Sequence, residues 1–228
     1  WRLPRVANNT CHLRNLRLRR GAGAAALAWA LLSLCGCFSA RKDQRRYYSL
    51  PPMPTPAKSA STAPKGTLMV AQFSASTVHD RVGMVMRRSD VELRYSARHL
   101  WVKRPQHLVR ERVAESLLRA GVVNRVVRDL GTHTPDWVLR GRVLAMEVLT
   151  GPDGNGPWRV RVALRMTLRS ANQGEVLWRG TWNQTASVSS PEADDAARTI
   201  GQLLHRGLKT LLKPLKSSLL KARVSGAR

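Results

Sequence analysis

Acidic residues are scarce in this sequence. Its 228 residues hold 14 Asp and Glu against 39 Lys and Arg, a formal net charge of +25. Cysteine is rarer still: Cys11, Cys35 and Cys37 are the three, and none lies beyond position 37. The long remainder of the chain therefore offers no disulfide, no metal thiolate and no cysteine nucleophile. No Walker-type loop occurs, so any use of ATP belongs to a partner. His79, His99, His107, His133 and His205 never fall at metal-ligand spacing, and Ser74 and Ser96 lack the context of a nucleophile elbow. Asp153-Gly154-Asn155-Gly156 has the look of a calcium loop, but the other acidic ligands are missing and a hairpin turn fits better. These absences predict a protein that is not an enzyme, with no catalytic residue, no metal site and no cofactor.

What is plentiful is arginine. Six arginines (Arg2, Arg5, Arg14, Arg17, Arg19 and Arg20) precede Cys37 with no acidic residue among them. Such an excess favours anionic partners: nucleic acid, anionic lipid, lipopolysaccharide or an acidic protein. The plainer alternative is a solvated basic surface. Nucleic acid is set aside, because no aromatic-basic platform is evident and residues 14–37, read as an export signal, would place the domain outside the cytoplasm.

Residues 1–13 form an N-terminal extension whose Cys11 and His12 have no further ligands at metal spacing. Residues 14–37 then read as an export signal. Arg14, Arg17, Arg19 and Arg20 make a positive start, and residues 21–34 are an uncharged apolar run of 14. That run is short of the ~20 residues a membrane-spanning helix needs. It ends in Leu34-Cys35-Gly36-Cys37, which resembles the lipobox read by lipoprotein signal peptidase. Cys35 competes for the role, but bulky Leu34 would precede it where a small residue is wanted. Cys37 is the expected lipidation site, with residues 1–36 removed and the protein held to the membrane by acyl chains, several of which anchor stably where one does not. Phe38 follows in place of the Asp that retains lipoproteins in the inner membrane of enteric bacteria. That favours the periplasmic face of the outer membrane over the inner membrane.

Residues 37–65 read as a lipid-anchored tether. Proline at 51, 52, 54, 56 and 64 keeps a chain extended, and basic residues at 41, 42, 45 and 46 sit near the headgroups. The folded domain is expected over 66–215. Residues 67–73 suit a strand, and 82–96 a hairpin turning at Arg87-Arg88-Ser89-Asp90. Pro105 opens a helix that runs to Gly121, and 137–148 reads as a strand. Over 158–169, six apolar residues alternate with Arg159, Arg161, Ala163, Arg165, Thr167 and Arg169, the period of a half-buried antiparallel strand. Arg159, Arg161, Arg165 and Arg169 are thus a candidate interaction face. A return strand begins at Val176. Ser190 is expected to cap a last helix that Pro214 stops or kinks, leaving 216–228 as a frayed basic tail. The fold class is α+β: a mixed, largely antiparallel sheet with helices packed on one face.

The lipobox, Tyr47-Tyr48-Ser49-Leu50, Leu93-Arg94-Tyr95-Ser96 with Trp101 and a helix, residues 136–143 and Gly174-Glu175-Val176-Leu177-Trp178 together resemble the ABC-type transport auxiliary lipoproteins. The resemblance spans roughly 37–215 and rests on strand and turn patterns. It implies a role beside Mce-type lipid transporters: an Mce-domain protein plus an ABC permease and ATPase as partners, phospholipid or another hydrophobic cargo, and a homo-oligomer in some members. An envelope scaffold that assists insertion of outer-membrane protein or lipopolysaccharide shares most of these features and is the alternative.

Overall fold

The computed structural model describes residues 44–53, 66–129, 131, 134–152, 154 and 156–226, with side chains as far as residue 222. Cys37, the export signal, most of the tether, His133, Asp153 and Asn155 lie outside the described residues. The elements are β1 (Arg46–Tyr48), β2 (Thr67–Val70), β3 (Ser74–Ala75), β4 (Gly83–Arg87), β5 (Leu93–Trp101), α1 (Pro105–Arg119), β6 (Arg125–Val127), β7 (Trp137–Leu149), β8 (Arg159–Ser170), β9 (Val176–Ser187) and α2 (Ala193–Gly226).

β7 is the spine of a mixed sheet. One of its edges pairs along its full length with antiparallel β8, which carries antiparallel β9. The other edge is shared by β2, β3 and β4 in turn, all parallel to it. β6 lies outside β2, and β5 outside β4 with β1 beyond. Both helices pack on the same face, α1 over β7, β6 and β2, and α2 over β9 and β8. The expected α+β class holds.

Alternation explains the core. Val160, Val162, Leu164, Met166 and Leu168 are fully buried beneath the helices. On β7, Trp137, Leu139 and Val143 point to the same side, and then the register shifts by one residue between Val143 and Ala145. An inserted residue flips the side-chain parity of everything that follows. Met146 and Val148 therefore enter the core, and Glu147 turns to the opposite face.

α1 starts at Pro105 as expected, because proline is suited to a first helical turn. It ends at Arg119, and Gly121 beyond it has φ +54°, the left-handed conformation that stops helices. The hairpin forms too, though its turn falls over 88–92, where the Arg88 amide donates to the Glu92 carbonyl at 3.0 Å.

Three boundaries differ from the sequence reading. First, the compact unit begins at Gln44 rather than at residue 66. Tyr47-Tyr48 pairs with Leu100-Trp101 in β1, and Tyr48, Leu50 and Met53 are buried. Aromatic and aliphatic burial outweighs the extending effect of Pro51 and Pro52. Pro51 also seats directly on α2 at Gly201, where an added Cβ would lie 2.4 Å from the proline ring. Second, α2 begins at Ala193, and the Ser190 hydroxyl donates to Asp195 at 2.6 Å instead of capping the helix. Third, Pro214 does not stop α2. The buried stripe of Leu211 and Leu212 continues past it in Leu215 and Leu219, and their burial offsets a proline cost of ~3 kcal/mol. The expected frayed tail is helix as far as Gly226.

Candidate functional site

The face of the sheet opposite the helices carries all four arginines expected from β8, since each alternates with the buried row. The register brings them against neighbours that the sequence could not pair. Arg165 stands directly opposite Arg142 on β7 and Thr181 on β9. Thr167, two residues along β8, lies between Arg140 of β7 and Arg179 of β9. Arg169 faces Val138 and Val176, and its Nη1 donates to the Gly174 carbonyl at 3.0 Å. Arg140, Arg142, Arg165, Arg169 and Arg179 thus cluster on three adjacent strands. Beside them, Val138, Arg140, Arg169 and the 170–174 turn enclose a shallow pocket of about 380 Å³. Among the described residues none of the five has a carboxylate within ion-pair distance. Arg142 and Arg165 are like charges directly opposed, an arrangement that costs stability unless water or an anion screens it.

The other end of the same face is built differently. Glu147, turned outward by the bulge, is 1% exposed. Its Oε2 accepts from Arg87 Nε at 3.0 Å and contacts His79 Nε2 at 3.2 Å, while Arg161 Nη1 lies 3.6 Å from Oε1. Arg161 Nε donates to Asn183 at 3.0 Å. Burial pushes the Glu147 pKa up, but the hydrogen bonds from His79 and Arg87 outweigh it and hold the carboxyl below its ordinary range. The predicted row of four therefore divides. Arg161 serves a buried carboxylate, Arg159 is exposed beside it, and Arg165 and Arg169 join the unneutralised cluster.

Ser76 Oγ lies 2.8 Å from His79 Nδ1, so Ser76, His79 and Glu147 line up in the order of a hydrolytic triad. The chemistry does not follow from the order. The Ser76 hydroxyl has one proton and two neighbours that could take it, His79 Nδ1 at 2.8 Å and the Leu144 carbonyl at 3.2 Å. His79 is 3% exposed, so its imidazole is closed off from solvent. The grouping ties the 3-10 turn Thr77–His79 to β7. Sequence reasoning missed it because its members are 68 positions apart. Among the described residues no group of three or more His, Cys, Asp or Glu could hold a metal ion, and no helix is long and apolar enough to cross a membrane.

No curated protein matches this sequence. Solved structures share the fold. A Xanthomonas campestris protein of the DUF330 family is 18% identical, with a TM-score of 0.68 over 78% of this chain and 98% of its own. An uncharacterized protein is 17% identical, with a TM-score of 0.58 over 75% and 99%. The family model described as the ABC-type transport auxiliary lipoprotein component matches residues 48–210, from the buried Tyr48 of β1 to the middle of α2. The chain belongs to the ABC-type transport auxiliary lipoprotein family.

Proposed function

We propose that this lipoprotein is anchored through lipid on Cys37 to the periplasmic face of the outer membrane. There it acts as the non-catalytic auxiliary component of an Mce-type ABC transporter that moves phospholipid or another hydrophobic cargo. The family match over residues 48–210 carries the reading, and the lipobox Leu34-Cys35-Gly36-Cys37 supports the anchor. The folded unit starts at Gln44, so only residues 38–43 separate it from Cys37. At ~3.3–3.6 Å per residue, that connection spans at most about 25 Å. The domain works close to the bilayer rather than on a long tether. Its open arginine face meets an acidic surface on a transporter subunit. The face is broad and shallow, spread over three strands, which suits a protein surface.

Two measurements test this. Cys37→Ser is expected to leave an unprocessed precursor that a clickable fatty acid does not label, and labelling that persists there but disappears in Cys35→Ser would move the anchor. The lipidated protein, purified from its own membranes, is expected to bring down an ABC permease and an Mce-domain protein. Recovery of an outer-membrane assembly machine instead would replace the transport role.

A further inference from the structure

Where the chain leaves β1, Pro51-Pro52-Met53 runs alongside both helices and walls a second pocket, of about 490 Å³. Arg198, Gln202, His205 and Arg206 recur on α2 at the spacing of a single helical face, and all four line it. Arg112 of α1 lines the same pocket. Its side chain is 13% exposed, and Nη2 donates to the Leu50 carbonyl at 3.2 Å. Three guanidinium groups and an imidazole from two helices thus meet beside an apolar wall.

The carboxylates near this pocket are already engaged. Glu115 receives Arg119 at 2.6 Å and reaches Arg112 only at 3.9 Å. Asp195, one turn before Arg198, accepts from the Ser189 and Ser190 hydroxyls at 3.0 and 2.6 Å. Burial pushes the His205 pKa below its ordinary value, and the charges of Lys209 and Arg112 push it the same way. Cations outnumber carboxylates around the pocket: Arg112, Arg198 and Arg206 line it, while Glu115 meets Arg112 only at the edge of ion-pair distance. Guanidinium forks match phosphate oxygens in pairs, and partial burial strengthens such contacts.

We infer that this pocket between α1, α2 and residues 51–53 binds a phosphate group, free or carried on a lipid headgroup. Arg198 and Arg206 grip it from α2, Arg112 supplies the desolvated charge opposite, and Pro51, Pro52 and Met53 support the uncharged part of the ligand. The phosphate site stands without the transport reading; only the headgroup source rests on it. Anion binding favours the charged imidazole, so a phosphodiester, whose own charge is constant near neutral pH, binds more tightly as the pH falls through the His205 pKa.

The test follows the His205 ring by NMR in the full chain, held in a nonionic detergent. Inorganic phosphate is one titrant and dihexanoylphosphatidylglycerol the other. The expected result is a saturable rise in the His205 pKa, with affinity weakened about tenfold in Arg198→Gln/Arg206→Gln. Both arginines are exposed, so the melting curve of that variant should match the parent's. A rise with both titrants assigns the site to phosphate itself, and a rise with the lipid alone assigns it to the headgroup. No saturable rise with either, or unchanged affinity in the double variant, overturns the site. Failure to recover an ABC permease would count against the transport reading and leave this result untouched.

Discussion

The two ends of the open sheet face use the same residue type in opposite ways. At one end, Arg87 and Arg161 close around Glu147, which the β7 bulge has turned outward and burial has sealed from water. At the other, Arg142 and Arg165 oppose each other, with Arg140, Arg169 and Arg179 nearby and, among the described residues, no carboxylate within ion-pair distance. A buried carboxylate needs its cations, because removing one partner strands the other. The exposed arginine cluster adds little to the fold beyond the Arg169 bond to the Gly174 carbonyl. The first end is held by ion pairs, and the second has no such pairing among the described residues.

That contrast is most sharply tested through the core both ends share. Leu164→Asp places a charge in a fully buried position under α2. The cost exceeds the ~2–5 kcal/mol of a cavity there, since the carboxylate is buried as well. Denaturant melts should show no cooperative transition, and both ends should be lost together. Next comes Glu147→Ala, expected to cost ~3–5 kcal/mol by leaving Arg87 and His79 beside a void. A loss under ~1 kcal/mol would mean the two ends are alike.

The pH dependence follows from the same residue. The Glu147 pKa is lower in the folded state than its ordinary value of 4.5, so the unfolded chain binds the proton more readily. The stability it contributes is fully present above that ordinary value and is lost as the pH falls through the depressed folded one. Thermal midpoints should drop in that acid range for the parent, and Glu147→Gln should flatten that part of the curve.

Single arginines give the smallest effects and the clearest division. Arg161→Gln should cost ~1 kcal/mol through its lost bond to Asn183 and lost support of Glu147. Arg142→Gln/Arg165→Gln should leave stability unchanged or raise it by about a few tenths of a kcal/mol, by removing an opposed like-charge pair. The same double variant should weaken capture of the transporter partner, most visibly at low salt. Equal effects from the two kinds of substitution would erase the distinction.

The alternation over 158–169 was legible because period two needs no knowledge of neighbours, and β8 has the burial it predicts except at Ala163, which is buried on the outer face. Pro105 likewise marked the start of α1 for a purely local reason. The reading failed where tertiary burial overrode local preference. Proline at 51 and 52 suggested a loose tether, yet Tyr48 and Leu50 are drawn into the core by β5 and the helices. Pro214 suggested an end to α2, yet Leu215 and Leu219 still cover the sheet. The candidate face was half legible: Arg165 and Arg169 stood out along one strand. Arg140, Arg142 and Arg179 join them only through cross-strand register.

The sequence by itself determined the fold class, the principal strands and the buried face of β8, since backbone geometry sets these periods residue by residue. Only the tertiary structure decided what each arginine does. One inserted residue near position 144 reverses the sides of β7, and that reversal places Glu147 among Arg87, His79 and Arg161. Without a carboxylate in reach, Arg165 stays unneutralised on the same strand. Side chains 68 positions apart acquire a common chemistry only when the chain brings them within hydrogen-bond distance.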